Sequence, residues 1–267
     1  MLILLPPSET KRDGGAGDPL ALAELGFPEL TSARRSVLRA VAALSRNRDS
    51  SIRALKLGPK QAGEVDRNRA ISTSATMPAL ERYTGVLYDA LDVSDLTAEQ
   101  RLFAHETVAV HSALLGLVAA GDAIPAYRLS FDSRLSLEKG VPSLRKRWAP
   151  AVSGVLAKRD GLILDLRSEG YASLGPLPDR ENVHYLRVLA RDPSGQVRAL
   201  NHFNKQAKGL FTRALVRAEI EFGSTDELLG WALSEGYDLS VTPSGRDLAL
   251  VVPEVAGPPG KLMAVLR

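Results

Sequence analysis

Runs of apolar residues along the chain predict the strands of a sheet. The opening segment, Met1–Leu5, is a continuous apolar run that ends at two prolines, which is typical of a buried first strand. Residues 161–166 form a second short run, which we expect at the centre of the sheet. The runs 183–190 and 196–203 are joined by turn-forming residues that indicate a hairpin. A last strand is expected at 247–252.

Apolar residues at helical spacing predict the helices between these strands. One helix is expected to follow a cap at Ser32, and another to begin at Asn204 with its apolar residues on one stripe. Further helices are expected over Tyr83–Leu91, Glu99–Leu117 and Trp148–Lys158. Because strands and helices follow no regular β-α-β order, the pattern favours an α+β fold over a doubly wound sheet.

Residues 51–70 have the outline of a helix–hairpin–helix element. Apolar residues lead to Gly58-Pro59, and helical spacing resumes from Lys60. Glycine suits the left-handed end of one helix, and proline suits the first turn of the next. Such a hairpin can present backbone N–H groups and the side chains of Arg53, Lys56 and Lys60 to a phosphate. The same pattern also fits an ordinary helical hairpin that contacts no nucleic acid.

Composition narrows the classes of function. Hydrophobic residues make up 45% and charged residues 24% of the 267, which argues against extensive disorder. The absence of cysteine excludes disulfides, thiolate-ligated clusters and a cysteine nucleophile. The formal net charge of +3 permits an anionic partner without identifying one. The opening run lacks signal-peptide features and no segment is long enough to span a bilayer, so a cytoplasmic location without membrane contact is expected.

The helix from Asn204 carries the clearest candidate site. At about 100° per residue, Lys205, Lys208 and Thr212 are expected on the face opposite the apolar stripe. Helix N-termini attract anions through unpaired N–H groups and the macrodipole, so two lysines in the first turns suit a phosphate or a carboxylate. Spacing alone fits an exposed lysine face equally well.

Two segments share the sequence Ser-Glu-Gly-Tyr. Ser168–Tyr171 follows the strand at 161–166, and Ser234–Tyr237 repeats the four residues later in the chain. We interpret them as two similar glycine turns, since loops after strands often carry functional groups.

The common motifs for metals and nucleotides are absent from the sequence. The four histidines, His105, His111, His184 and His202, form no HExxH, and no GxGxxG, Walker or GxSxG motif occurs. We therefore interpret the histidines as structural and predict neither a metal site nor a cofactor.

Segments spread over nearly the whole chain resemble the YaaA family. In family order they are Met1–Leu4 with Pro7 and Thr10, Tyr83–Gly85, Leu114–Gly116, Ile124–Leu129, Trp148, Ser168–Tyr171, Phe203–Gly209 and Ser234–Tyr237. The resemblance implies a single compact α+β domain of unusual topology over residues 1–267, with a mixed sheet, surrounding helices and a helix–hairpin–helix element beside a positively charged cleft. It also implies binding of duplex DNA, and a role in limiting damage from peroxide and unincorporated iron.

Two classes of function stay open at this stage. In the first, the protein is a DNA-binding stress factor whose basic residues neutralise phosphates. In the second, it is an enzyme for a small anionic or nucleotide-like substrate, held by Lys205, Lys208 and Arg128, with Glu169 or Tyr171 transferring a proton. The residues expected to line the cleft are Ser8, Thr10, Arg128, Ser168, Glu169, Tyr171, Asn204, Lys205 and Lys208. Binding ranks first, because the sequence identifies no reaction.

Overall fold

The computed structural model describes residues 1–137, 143–199 and 203–253. In these ranges the strands are β1 (Leu2–Leu5), β2 (Met77–Pro78), β3 (Val108–Ser112), β4 (Gly116–Ala119), β5 (Ala123–Ile124), β6 (Ile163–Asp165), β7 (Val183–Arg191), β8 (Val197–Ala199), β9 (Asp238–Val241) and β10 (Asp247–Pro253). The helices are α1 (Thr31–Ser45), α2 (Arg48–Ala54), α3 (Glu64–Arg69), α4 (Ala79–Arg82), α5 (Val86–Leu91), α6 (Ala98–Thr107), α7 (Leu144–Ala157), α8 (Glu169–Ala172), α9 (Asn204–Ala218) and α10 (Thr225–Ser234).

The main sheet has eight strands of mixed direction. Seven of them follow the order β4-β3-β1-β6-β7-β10-β9, and β8 pairs with the end of β7. Strands β3, β1, β6, β7 and β10 are parallel to their neighbours in this series, whereas β4, β8 and β9 are antiparallel. Strands β2 and β5 form a separate small sheet. The predicted α+β fold, a single compact domain with a mixed sheet and surrounding helices, is confirmed.

The core lies around β1, whose four residues are all buried. Its neighbours β3 and β6 are buried along their whole length as well. Strands covered on both faces need no polar side, which is why they occur as continuous apolar runs in the sequence. On α7, the Trp148 indole N–H donates to the carbonyl of Ala113 at 2.9 Å. Gly116 makes room for that ring, because a Cβ there would lie 2.6 Å from it.

Most of the predicted elements are present. The first strand, the central strand, the β7–β8 hairpin, the last strand and helix α9 lie where the sequence indicates them, and residues 200–202 of the second hairpin run lie outside the described residues. Helix α7 begins at Leu144, ahead of the predicted start at Trp148. The helix predicted after Ser32 instead begins at Thr31, directly after a 3-10 turn at Pro28–Leu30, so Ser32 is not its cap. The helix predicted over Tyr83–Leu91 is confined to α5, because Gly85 has a non-helical conformation with a φ of 100°.

The helix predicted over Glu99–Leu117 is wrong in its second half. Helix α6 ends at Thr107, and the chain continues at once into β3 and then β4. Residues in β3 and β4 are buried on both faces, so apolar and polar residues do not alternate along these strands. Without that alternation, the sequence pattern does not distinguish a strand from a helix. Within α6, the apolar side chain of Leu102 is 61% exposed.

The predicted hairpin at 51–70 consists of α2, a 3-10 turn at Pro59–Gln61, and α3. Lys56, with a φ of 55°, takes the left-handed position after α2, and the N–H of Leu57 donates to the carbonyl of Ile52 at 2.9 Å. Gly58 has an extended φ of −75°, so the prediction that it ends the first helix was wrong. Its N–H donates instead to the Gln61 side chain at 3.0 Å.

Two features are absent from the part of the chain that the structure describes. None of its helices combines the length and the apolar character needed to cross a bilayer. No three His, Cys, Asp or Glu side chains within these residues are grouped so that they can hold a metal ion. Among the histidines, His105 accepts from the N–H of Gly121 and His184 bonds Thr225, while His202 lies outside the described residues.

Candidate functional site

The carboxyl ends of β1, β3 and β6 meet at one edge of the sheet. The strand register places Leu4 beside Ala109 on one side and Asp165 on the other. The loop after β1, the end of β3 and the segment after β6 therefore lie together. Ligand sites in open sheets form at the carboxyl ends of parallel strands, so this edge is the first place to examine.

Ser8 and Thr10, both predicted cleft residues, are joined in the loop after β1. The Ser8 and Thr10 hydroxyls lie 3.1 Å apart, and Thr84 Oγ1 donates to Thr10 Oγ1 at 3.1 Å. Gly85 permits this approach, because a Cβ there would lie 3.4 Å from the Ser8 hydroxyl. The three hydroxyls form one small polar cluster at the protein surface.

Arg128, another predicted cleft residue, lies against the same loop. Its guanidinium forms an ion pair with Glu9 at 2.6 Å. The backbone of Arg128 is fixed by Asn68, which accepts from the Arg128 N–H and donates to its carbonyl, both at 2.8 Å. Only 14% of the Arg128 side chain is exposed, so the charge is held in one place next to the loop.

Lys11 is buried beneath this loop, and the sequence did not single it out. Its Nζ donates to the carbonyls of Ser8 at 2.9 Å and Glu9 at 3.4 Å. The same atom lies 4.2 Å from the centre of the Tyr127 ring, a cation–π contact. Burial lowers the pKa of Lys11 to about 7, against the opposing effect of the Glu9 carboxylate.

A chain of three buried hydroxyls adjoins Lys11. Ser112, at the end of β3, lies 2.7 Å from the Tyr127 hydroxyl, which lies 2.8 Å from that of Tyr83. Ser112 Oγ also accepts from the N–H groups of Leu114 and Leu115. Burial raises the pKa of Tyr83 to about 12 and that of Tyr127 well above its usual value, so both phenols keep their protons.

A second buried cluster follows β6. Arg167 forms a bidentate pair with Asp165, with distances of 2.8 and 2.7 Å, and both side chains are fully buried. The Arg167 guanidinium also donates to Nδ1 of His111 at 2.7 Å. Burial, assisted by Arg167, lowers the pKa of His111 well below its usual value. The neutral ring therefore carries its proton on Nε2, which has no hydrogen-bond partner in the described chain.

Lys208 extends this second cluster, in contradiction to the prediction for its helix. Lys208 is 5% exposed and Thr212 is fully buried, so neither lies on an open face. The Lys208 Nζ donates to the carbonyl of Arg167 at 3.4 Å and lies 5.1 Å from the centre of the Tyr185 ring. Burial lowers its pKa to about 8, against the opposing effect of Asp165. The prediction failed because this part of α9 packs on the sheet, where Arg167 and, on β7, Tyr185 contact the Lys208 amine.

Lys205 and Asn204 differ from Lys208 in their exposure. Lys205 is exposed at the start of α9, and Asn204 is half-buried in the same turn. The two predicted lysines therefore do not form one pair at the helix N-terminus. Only Lys208 belongs to the buried cluster after β6.

The Ser168–Tyr171 segment is the start of α8 rather than a glycine turn. Gly170 packs under the Phe131 ring, which would lie 2.5 Å from a Cβ there, whereas Gly236 of the second segment has a left-handed φ of 79°. The two segments are therefore not similar turns. Ser168 and Glu169 are exposed, and Glu169 lies 4.0 Å from Arg187. Tyr171 is buried against Phe131, so it does not share a reacting centre with Glu169.

The cationic residues of the hairpin lie outside the clusters at the carboxyl ends of the strands. Arg53, Lys56 and Lys60 are exposed, and Lys56 forms an ion pair with Asp132 at 2.5 Å. Asp132 belongs to residues 128–135, which reach from Arg128 at the strand-end loop to Arg134, whose N–H donates to the carbonyl of Ala54 in α2. This connecting segment, residues 128–135, joins the hairpin to the sheet edge.

Known proteins similar to this chain match nearly its whole length. The family model described as peroxide stress protein YaaA matches residues 1–242. The chain belongs to the YaaA family. Its relatives include UPF0246 proteins of Corynebacterium glutamicum (strain R) and Corynebacterium efficiens, 39% and 41% identical, each over 94% of this chain and all of the relative. A UPF0246 protein of Streptomyces coelicolor is 38% identical over 90% of this chain and 92% of its own length.

Membership of the YaaA family supports a role in the response to peroxide stress. Two of the segments that resemble the family, Tyr83–Gly85 and Ile124–Leu129, contribute residues to the cluster around Lys11. The sequence missed Lys11, Ser112, Tyr83 and Tyr127 as site residues. Position along the chain could have indicated two of these residues. Lys11 lies in the loop directly after the first strand, and Ser112 is the last residue of β3.

Proposed function

We propose that the protein acts in the peroxide response by binding duplex DNA, with the hairpin of α2 and α3 against the phosphate backbone. The observation that supports this is the exposure of Arg53, Lys56 and Lys60 on one short segment. The apolar residues of the same segment, Leu55, Leu57 and Val65, are buried in the core. A cationic surface fixed to the core in this way can contact phosphates, but it has no side chain placed to contact the base edges. We therefore expect weak sequence preference and strong salt dependence of DNA binding.

Asp132 bears directly on this proposal, because it competes with DNA for Lys56. The Lys56 side chain is 51% exposed and that of Asp132 43%, so the pair is solvated and weak. A phosphate that approaches Lys56 must displace or tolerate this carboxylate. Asp132→Asn should therefore strengthen DNA binding, whereas Lys60→Ala should weaken it.

These two variants form the test of the proposal. Affinity for a short duplex is measured for wild type, Asp132→Asn, Lys60→Ala and a control, Lys158→Ala. Lys158 is exposed after α7, near the amino end of β6 and away from the hairpin. Tighter binding by Asp132→Asn, weaker binding by Lys60→Ala and no change in the control support the hairpin. Equal affinities in all four proteins contradict it.

We propose further that DNA covered in this way is protected from iron-dependent oxidation. The support is the family description, which names peroxide stress. A supercoiled plasmid is exposed to ferrous iron and peroxide with the wild type or with a variant that no longer binds DNA. Fewer nicks with the wild type alone support the proposal, and equal nicking with both proteins contradicts it.

A second candidate function is an enzyme for a small anionic, nucleotide-like substrate at the sheet edge. The observation that favours it is the placement of two buried amines, Lys11 and Lys208, beside polar side chains at the carboxyl ends of strands. Titration with sugar phosphates and nucleoside monophosphates tests it. Binding that is lost in Lys208→Met or Lys11→Met, and kept when exposed Lys205 becomes Ala, supports this function. No binding of any of these compounds contradicts it.

A further inference from the structure

The surroundings of Lys11 combine an amine with proton donors. Lys11 Nζ is held by the carbonyls of Ser8 and Glu9 and faces the Tyr127 ring. The carbonyls belong to a loop whose residues Glu9 and Thr10 are exposed, and 8% of Lys11 itself is exposed. Because its pKa is lowered to about 7, a large share of Lys11 has a free lone pair near neutral pH.

The neighbouring hydroxyls of Ser112, Tyr127 and Tyr83 carry one proton more than they can place in hydrogen bonds. Ser112 Oγ accepts from two N–H groups, so its own proton points to the Tyr127 oxygen. Tyr127 and Tyr83 share a single hydrogen bond. One of these two phenolic protons is therefore left without an acceptor among the described residues, although both side chains are buried. A buried donor without a partner marks a place for a ligand oxygen or a water.

The positive charge of Arg128 lies against the same loop. Its guanidinium pairs with Glu9, whose side chain is 47% exposed and can swing away. A phosphate that replaces the Glu9 carboxylate would accept from the same guanidinium nitrogen. The site therefore offers an amine, a hydroxyl donor and an anion anchor around the loop after β1.

We propose that Lys11 is a nucleophile that forms an imine with the aldehyde of a phosphorylated sugar. The inference rests on the second proposed function and gives that site a substrate class. Two sources share this chemistry: a free sugar phosphate, and the abasic deoxyribose that remains in DNA when a base is lost. Both present an aldehyde with a phosphate a few bonds away.

The reaction needs no cofactor and balances as follows. The lone pair of Lys11 Nζ attacks the carbonyl carbon, and the carbonyl π electrons move to oxygen, which takes one of the protons that the attacking nitrogen loses and gives a neutral carbinolamine. The spare phenolic donor protonates that oxygen, which leaves as water while the nitrogen lone pair forms the C=N bond. The iminium nitrogen then returns its remaining proton to the phenolate, so both protons of the water come in the end from Lys11. Hydrolysis adds the water back and restores the amine.

The alternative is that Lys11 only ties the loop after β1 to its own carbonyls. A structural lysine of this kind makes no covalent adduct. Lys11→Arg keeps a cation at the position and Lys11→Met keeps an unbranched side chain of similar length, and neither can form an imine. The two roles therefore predict different results with an aldehyde and a reductant.

The experiment traps the imine on the full chain. Wild type is incubated separately with 2-deoxyribose 5-phosphate and with a duplex that contains one abasic site, each with sodium cyanoborohydride, and adducts are located by peptide mass spectrometry. We expect an adduct on Lys11 that forms faster as the pH rises from 6 to 8. Lys11→Arg and Lys11→Met should lose it, and Lys205→Ala should keep it. The wild-type peptide map gives an answer even if a Lys11 variant fails to fold.

The arms of the experiment separate the possible outcomes. An adduct with the duplex alone assigns the substrate to DNA, and one with the free sugar alone assigns it to a small metabolite. Binding of 2-deoxyribitol 5-phosphate, which has no aldehyde, is measured in parallel. If this alcohol binds and no Lys11 adduct forms, the imine is overturned while the binding site stands. If it does not bind and no adduct forms, both are overturned, and labelling of Lys205 as fast as Lys11 also overturns the inference.

Discussion

At the scale of single residues, the burial of Lys11 sets two effects against each other. Loss of water disfavours the ammonium ion, while two carbonyls and the face of Tyr127 favour it. The pKa of about 7 shows that the loss of water is the larger effect. Lys11 therefore costs stability whenever the folded protein has to hold it protonated.

The sign of this cost can be tested with Lys11→Met. Below about pH 7 lysine is protonated in both states, so the wild type pays the full cost of a buried ammonium. Between pH 7 and 10.5 the unfolded state holds a proton that the folded state has released, so wild-type stability rises with pH. We expect Lys11→Met to be more stable at pH 6, by on the order of 2 kcal/mol after lost hydrogen bonds are subtracted.

Urea unfolding of both proteins between pH 6 and 10 measures this effect. The advantage of Lys11→Met should shrink steadily as the pH rises above 7. A variant that is less stable than the wild type by a constant amount at every pH would show that Lys11 carries no buried charge.

The Asp165–Arg167 pair gives a second prediction at this scale. Both side chains are fully buried, and Arg167 also holds His111. Asp165→Asn leaves a buried guanidinium uncompensated, so we expect a loss of about 3–5 kcal/mol. Adding Arg167→Leu should restore part of this loss, which a double-mutant cycle in urea measures. A loss below about 1 kcal/mol in the single variant would mean that water reaches the pair.

At the scale of elements, α9 shows what the sequence can and cannot predict. Its bounds and its apolar stripe follow from helical spacing, because that pattern is local. The burial of Lys208 does not follow, because it depends on Arg167 and Tyr185, which come from distant parts of the chain. Helix α5 also packs on α9. The two helices touch through Gly209, where a Cβ would lie 2.2 Å from the Leu87 carbonyl oxygen.

Gly209→Ala tests this helix contact against a matched control. Both Gly209 in α9 and Gly154 in α7 are helical, but an added Cβ at Gly154 meets nothing within 4 Å. We expect Gly209→Ala to lose about 2 kcal/mol or more, since backbone must move, and Gly154→Ala to gain about 0.5–1 kcal/mol from helix propensity. Thermal melts compare them. Similar shifts of the melting temperature in both variants would mean that α5 lies farther from Gly209 than this close contact.

At the scale of the whole molecule, residues 128–135 connect the two regions with proposed roles. Arg128 contacts the strand-end loop, Phe131 packs on Tyr171, and Asp132 pairs with Lys56 of the hairpin. Ser8, Thr10 and Arg128 were predicted as cleft residues because they are polar residues of separate turns. Tyr127 and Ser112 were not, because strand order brings them to this loop from distant parts of the chain.

The central claim is that the hairpin binds the phosphate backbone of DNA. The most direct measurement is the dependence of duplex affinity on salt for the wild type and for the triple variant Arg53→Ala, Lys56→Ala, Lys60→Ala. All three side chains are exposed, so the variant should keep its melting temperature. Each lost phosphate contact lowers the slope of log affinity against log salt by about one unit, so the account predicts a slope smaller by about three. An unchanged slope with an intact fold would contradict it.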